Sequence, residues 1–277
     1  MSSKIWFITG TSKGFGRAWA EGALQRGDRV CATARDVTTL TELSDRYQDR
    51  VLTLALDVND REAAFEVVAA AERHFGGLDI VVNNAGYGQF GFVEELSEPE
   101  LRDQLETNLF GAVWVTQAAL PALRRRGGGR ILQVSSIGGI TAFAMIGAYH
   151  ASKWALEGIS QALAQEVAGF NIKVTIIEPT GYATDWSGPS ARHSTPLAEY
   201  DEVRANVARV RASRFTSPGD PDATTDAVME LVDSEDPPLR VFFGVGPLAL
   251  ATADYEQRLA TWREWEPLSI RAHGQQR

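Results

Sequence analysis

Tyr149 and Lys153 stand four residues apart in a stretch of helical periodicity. In a helix that spacing places phenol and ammonium on one face, one turn apart. A free tyrosine titrates near pH ~10 and is a poor acid–base group at neutrality. A cation beside it stabilises the phenolate, each pKa unit corresponding to about 1.4 kcal/mol. A phenol tuned in this way can give a proton to a carbonyl oxygen or take one from an alcohol. Taken alone, the pair equally suits an amphipathic surface helix.

A second chemical element lies near the start of the sequence, in Ile8-Thr9-Gly10-Thr11-Ser12-Lys13-Gly14-Phe15-Gly16. It joins the first apolar run to the first helical pattern. Glycines there let backbone approach a pyrophosphate, and the first N–H groups of the helix point at its charge. The spacing is Gly-x-x-x-Gly-x-Gly rather than Gly-x-Gly-x-x-Gly. Its position between first strand and first helix ties it to nucleotide binding.

The elements that must carry these groups are short Val/Ile/Leu-rich runs alternating with longer helical patterns. Strands are expected at 5–9, 29–34, 51–56, 79–83, 130–135, 172–178 and 239–244, the composition of strands buried on both faces. Helices are expected at 17–26, 60–75, 97–120 and 149–168. Gly27 supplies a C-cap for the first, and Ser97 with Pro99 and Glu100 forms an N-cap, early proline and capping-box glutamate for the third. This βαβα alternation predicts a single α/β domain over 1–277. Its core is a Rossmann-type doubly wound parallel sheet of about seven strands with helices on both faces. The alternation breaks after Glu178. A Gly/Ser/Thr/Pro-rich segment follows, then helices at about 197–213 and 222–233, and a substrate-loop insertion at about 182–218 is expected over the strand ends where open α/β sheets bind ligands. A tail helix at about 251–265 carries Tyr255, Leu259, Trp262 and Trp265 on or near one side, to pack on the body or a neighbouring subunit.

Composition bounds the remaining choices. The 277 residues are 44% hydrophobic and 23% charged, ordinary for a globular chain. A net charge of −9 argues against a nucleic-acid partner. The single cysteine, Cys31, allows no internal disulfide and fits a reducing compartment, so a cytoplasmic location is expected. No apolar run approaches the ~18 residues of a membrane span. The apolar start reaches its glycine turn too soon for a signal peptide. Four histidines and one cysteine give no zinc-ligand pattern, so no metal is expected. Arg124-Arg125-Arg126 suits a solvated helix end, and His150 a structural role.

Further residues follow in a fixed order: Asn83-Asn84-Ala85-Gly86 after the fourth strand, Asn108 in the next helix, Ser136 in a glycine-containing loop, then Tyr149-x-x-x-Lys153. With the glycine turn, they resemble the short-chain dehydrogenase/reductase family, in its compact single-domain branch, from about Lys4 to Leu248. The resemblance implies catalytic roles for Asn108, Ser136, Tyr149 and Lys153. Ser136, thirteen residues before Tyr149 (149 − 136), would donate to the substrate oxygen as charge develops on it. Asn108 would distort its helix and hold a water connecting to the lysine. Cofactor contacts are implied for Gly10, Ser12, Lys13, Gly14, Phe15, Gly16, Asp57, Val58, Asn84, Ala85 and Gly86, and for Tyr149 and Lys153 on the ribose side. Pro179, Gly181 and Thr184 are carried over although Pro179-Thr180-Gly181 spreads the family's usual Pro-Gly by one residue. In the family, basic residues at the positions of Lys13 and Arg35 grip the 2′-phosphate, so NADP(H) is favoured over NAD(H).

The implied activity is interconversion of a carbonyl and an alcohol by hydride transfer, with Tyr149 as general acid/base. A small, hydrophobic ketone, aldehyde or secondary alcohol would meet Tyr87, Phe90, Phe143, Tyr182 and Trp186. Two other readings stay open: a catalytically silent dinucleotide-sensing regulator, and a dehydratase or epimerase of the same family. A homo-oligomer, dimer or tetramer, is expected by analogy.

Overall fold

Seven strands run parallel in one sheet: β1 (Ile5–Thr9), β2 (Arg29–Ala34), β3 (Val51–Ala55), β4 (Ile80–Asn83), β6 (Gly129–Val134), β7 (Ile172–Pro179) and β9 (Arg240–Phe243). The computed structural model of the chain describes residues 3–214 and 218–274; residues 215–217 of the expected insertion lie outside it. The spatial order is β3-β2-β1-β4-β6-β7-β9. The order reverses between β1 and β4, the switch point where a ligand crevice opens. Every expected strand is present, with ends shifted by one residue at most.

Alternation along β1 shows why the sheet needs cover on both faces. Trp6 and Ile8 join Val30 and Ala32 in a core under α1 (Gly14–Gln25). Ile5, Phe7 and Cys31 point the other way, into a core under α3 (Arg61–Phe75) and α5 (Gly111–Arg126). Burying a large apolar side chain contributes roughly 1.5–3 kcal/mol. Trp6 and Trp19 bury fully, and each indole N–H finds an acceptor: Asp28 Oδ2 at 2.8 Å and Thr224 Oγ1 at 2.7 Å. Cys31 is buried, which pushes its thiol pKa well up.

The single helix expected over 97–120 is three pieces. Ser97 caps α4 (Glu98–Leu105) in a capping box with Glu100. A π-helical turn over Glu106–Phe110 contains Asn108, and α5 then runs through Pro121 to Arg126. Gly127, in the left-handed region at φ 87°, ends it. α6 (Gly147–Val167) is the 149–168 helix, starting two residues earlier.

Two elements carry weaker sequence signals and were not anticipated: α2 (Thr41–Tyr47), and a two-stranded parallel ribbon of β5 (Gln89–Phe90) and β8 (Arg192–His193). That ribbon ties the insertion to the loop after β4. The insertion continues into α7 (Asp201–Arg214), followed by α8 (Thr224–Asp233) on the α1 side. The tail helix is longer than expected: α9 spans Pro247–His273, with Trp262 and Trp265 more than half exposed. Among the described residues no helix is long and apolar enough to cross a membrane, and no group of three or more His, Cys, Asp or Glu could hold a metal ion.

Candidate active site

The glycine turn is set by contacts that exclude side chains. Gly10 and Gly14 lie at φ 69° and φ 60°, where a Cβ is strained. A Cβ on Gly16 would stand 2.4 Å from the Gly10 carbonyl oxygen and 2.5 Å from Asn84 Nδ2. Asn84 locks the turn from β4: its amide donates to the carbonyls of Thr9 (2.9 Å) and Gly10 (3.0 Å), and its backbone N–H donates to Thr9 Oγ1 (2.9 Å). No side chain caps α1 and no acid sits in its first turn. Its first amides therefore face the crevice, an arrangement suited to an anionic diphosphate.

From this turn a cleft of about 1440 Å³ runs to Tyr149. Its wall brings together residues from across the sequence: Gly10, Ser12, Lys13, Gly14 and Phe15; Arg35 after β2; Asp57 and Val58 after β3; Asn84, Ala85 and Gly86 after β4; and Pro179, Gly181 and Thr184 after β7. Thr184 lies over the turn, its Cγ2 3.6 Å from the Cβ position of Gly14. Of the residues expected at the site, Gly16 and Asn108 alone do not border the opening; both stand one layer behind it. The extra residue in Pro179-Thr180-Gly181 is absorbed by pairing. Thr180 N–H donates to Phe243 O at 3.0 Å, and Gly181 O accepts from Gly219 N–H at 3.0 Å.

At the inner end, Tyr149 and Lys153 are buried on α6, with Lys153 Nζ 5.7 Å from the phenol ring centre. Lys153 Nζ donates to the Val134 carbonyl at 2.7 Å. Ser136, in the loop after β6, stands within hydrogen-bonding reach of the phenol. Its hydroxyl accepts from Gly138 N–H at 3.0 Å and is only 3.5 Å from Pro179 O, a weak contact that leaves it free to turn to a ligand oxygen. His150 is structural: Nδ1 lies 2.7 Å from Gly138 O and Nε2 accepts from Phe143 N–H at 2.8 Å, pinning the Ser136 loop. Asn108 holds the floor. Its Oδ1 accepts from Tyr87 N–H (3.1 Å), while Nδ2 donates to Tyr87 O (3.0 Å) and Ser152 Oγ (3.2 Å). The π turn is what swings this amide off the helix path.

Electrostatics depart from the sequence expectation. Burial pushes Tyr149 up to about 12, against the opposing contact with Ser136. Burial also brings Lys153 down to about 8, with Glu157 opposing it. Burial is thus the largest influence on both groups. Lys13 is not free either. It forms an ion pair with Asp185 across the cleft mouth, which a phosphate at that position would have to displace.

The substrate side is aromatic. Trp186 tilts over Tyr149 with ring centres 4.8 Å apart, and Phe90 follows at 5.4 Å from Trp186. Tyr87 and Phe143 also border this end. Tyr182 borders the cleft, but its ring packs edge-on to Phe15 (4.9 Å) and against Gly219, so it chiefly anchors its own loop.

Sequence reading passed over Glu95 and the α7 wall of Asn206, Val207, Val210 and Arg211. Glu95 is buried, accepts from Phe92 N–H (2.8 Å) and Leu197 N–H (2.9 Å), and pairs with Arg204 of α7. Those bonds, the Arg204 contact foremost, hold its carboxyl down at about 2. A depressed carboxyl stabilises above its unfolded pKa of ~4.3 and loses that contribution as pH falls towards the folded value. Glu95→Ala is therefore expected to release the insertion. Limited proteolysis should cut faster between Leu197 and Arg204, and substrate KM should rise several-fold with little change in kcat. Wild-type protease resistance would contradict the anchoring role.

The family model for short chain dehydrogenases matches residues 4–194. The oxidoreductase BOA17 of Botryotinia fuckeliana is 40% identical over 270 residues, covering 97% of this chain and 98% of that protein. A short-chain dehydrogenase from Streptomyces avermitilis superposes with a TM-score of 0.89 at 40% identity, covering 98% of each chain. An alcohol dehydrogenase from Thermococcus sibiricus, complexed with 5-hydroxy-NADP, superposes with a TM-score of 0.73 at 27% identity, covering 87% of this chain and 96% of that one. With this match and the Rossmann-type sheet, the chain belongs to the short-chain dehydrogenase/reductase family. It is an oxidoreductase, built on a fold that binds nicotinamide dinucleotides.

Proposed function

We propose that this oxidoreductase interconverts a hydrophobic ketone or aldehyde and its alcohol with NADP(H), Tyr149 exchanging the proton at oxygen. The observation that carries the reading is the cleft itself, which joins an uncapped helix start to the buried Tyr149 and Lys153 with a half-buried Ser136 beside them. The residues fit a dinucleotide. Gly16 leaves no room for a side chain at the glycine turn, where a diphosphate would sit, and of the other cleft residues Asp57 and Val58 would hold the adenine end and Asn84–Gly86 and Thr184 the middle of a bound dinucleotide. When bound, the nicotinamide supplies or accepts the hydride.

The protein's own groups handle the rest. As a neutral phenol, Tyr149 would donate to a carbonyl oxygen in reduction, and as phenolate it would take the proton from an alcohol in the reverse direction. Ser136 orients the carbonyl oxygen and donates to it as charge develops. Lys153, held by Val134 O and 5.7 Å from the Tyr149 ring centre, would donate to the nicotinamide ribose and bear on the phenol. Asn108 fixes the Tyr87 backbone that borders the same space. Trp186 and Phe90 exclude water and favour an apolar substituent beside the carbonyl.

The preference for NADP(H) rests on Arg35 and Asp36. Arg35 is exposed at the cleft edge and forms no hydrogen bond or ion pair among the described residues. The neighbouring acid is occupied: Asp36 Oδ1 accepts from Thr38 N–H (3.0 Å) and Thr38 Oγ1–H (2.6 Å). It caps a turn through that oxygen, which leaves it less able than a free acid to hold both ribose hydroxyls. A charge-assisted phosphate contact contributes about 1.5–3 kcal/mol. Arg35→Ala should therefore raise the NADPH Kd by roughly 10- to 100-fold and leave NADH almost unchanged, measured by nucleotide fluorescence. Lys13→Ala should act in the same direction but less, because Lys13 must first leave Asp185. Equal losses for both nucleotides would contradict the assignment.

A further inference from the structure

Behind the catalytic pair lies a charged cluster that the proton step just described does not use. Glu157 follows Lys153 by one turn of α6, and Glu178 stands near the end of β7. Both are nearly inaccessible, at 5% and 1% exposure, and their carboxyls face each other. One oxygen of each, Oε1 in both cases, is buried without a hydrogen-bond partner. From β9, Arg240 Nε donates to Glu157 Oε2 at 2.9 Å but stays 3.6 Å from Glu178 Oε1. A second Arg240 nitrogen donates to Gln161 Oε1 at 2.9 Å. Ser135, next to the catalytic serine, faces Glu157, and Lys153 lies within electrostatic range of it. On α9, Asp254 and Arg258 neutralise each other at 2.7 Å, with Arg258 directed to Ile140 O. The cluster thus holds two buried carboxyls, one guanidinium bonded to only one of them, and the catalytic ammonium.

Two facing carboxyls out of water do not both ionise readily, because like charges at contact repel strongly. The one poorly served by Arg240 is Glu178. We propose that Glu157 and Glu178 share one proton, and that the remaining negative charge, one helical turn from Lys153, keeps that ammonium charged, making Glu157 a positioning residue for the proton step. The direction of each shift agrees. Burial and Glu157 push Glu178 up to about 8, and Glu157 opposes the burial that lowers Lys153. The dyad's link to catalysis rests on the reading of Tyr149 and Lys153 as the proton-handling pair; the shared proton itself does not.

Two measurements on the full chain test this, using wild type, Glu157→Gln and Glu178→Gln. Infrared spectroscopy of wild type at pH 7 should show a protonated carboxyl band, which persists well above the ~4.3 of ordinary glutamates and is lost in either variant. Second, the pH profile of carbonyl reduction should change. Its alkaline limb should move down by about 1 pH unit in Glu157→Gln, because Lys153 loses its nearest negative charge. In Glu178→Gln, which imitates the protonated partner, it should move by less than half as much. Absence of the carboxyl band in wild type overturns the shared proton, even if a variant fails to fold. An unmoved limb in Glu157→Gln, or equal movement in both variants, overturns the coupling to Lys153. Wild type inactive on every carbonyl would refute the proposed reaction and this coupling with it, while the infrared result would still decide the shared proton.

Discussion

Tyr149→Phe is expected to keep the fold and the nucleotide affinity and to lose turnover by about 10²- to 10⁴-fold, the usual contribution of a positioned acid–base group. The substitution removes one oxygen. The ring stays packed on Trp186 at 4.8 Å, and Lys153 keeps its bond to Val134 O. Nothing that borders the diphosphate end changes, so NADPH titration should match wild type. Steady-state reduction of a reactive ketone is the check. Turnover within a few-fold of wild type would show that another group delivers the proton.

Gly16→Ala should have the opposite signature: cofactor binding fails before chemistry begins. The new methyl would stand 2.4 Å from the Gly10 carbonyl oxygen, which is backbone, and 2.5 Å from Asn84 Nδ2, which two hydrogen bonds hold in place. The turn has to open, and Asn84 loses one or both of its bonds to Thr9 and Gly10. Forced overpacking of this kind costs about 1–3 kcal/mol, and the loss of the aligned amides should weaken nucleotide binding by roughly 100-fold. Gly158→Ala is the matched control. It lies in α6 with nothing within 4 Å of its Cβ position, and alanine there should be neutral or slightly stabilising. Isothermal titration with NADPH and thermal unfolding separate the two variants. Equal behaviour would contradict the close approach at the turn.

The sheet was legible because its strands carry a signal that depends on local sequence alone. Ile5–Thr9 and Arg29–Ala34 are short, mostly apolar runs bounded by turn residues, and their ends follow from the glycines and charges around them. The site residues were legible for a different reason. Most of those that line the cleft, such as Gly10, Arg35, Asp57, Asn84 and Ser136, come from loops directly after strands, so motif order along the chain fixes their place at one edge of the sheet, while Tyr149 and Lys153 reach it from α6.

What the sequence left out depends on distant partners. The β5–β8 ribbon pairs Gln89 with Arg192, and two-residue strands have no periodicity to read. For Tyr149, spacing reveals the ammonium one turn away but not the burial of both groups, which pushes the phenol up and the ammonium down. Lys13 looked free because Asp185 lies 172 positions further along the chain. Asn108 is the intermediate case: an asparagine inside a long helical pattern is unfavourable enough to point to a distortion, and the structure supplies its form, a π turn aiming the amide at Tyr87.

The central claim is that hydride reaches a carbonyl carbon while Tyr149 serves its oxygen. Reduction of a hydrophobic ketone with NADPH deuterated at either face of the nicotinamide C4 tests it most directly, with the product examined by mass spectrometry and NMR. The account predicts one NADP⁺ formed per alcohol, with deuterium on the carbinol carbon from one labelled face only. Product without deuterium from either face, or conversion that leaves the nucleotide pool unchanged, would contradict it.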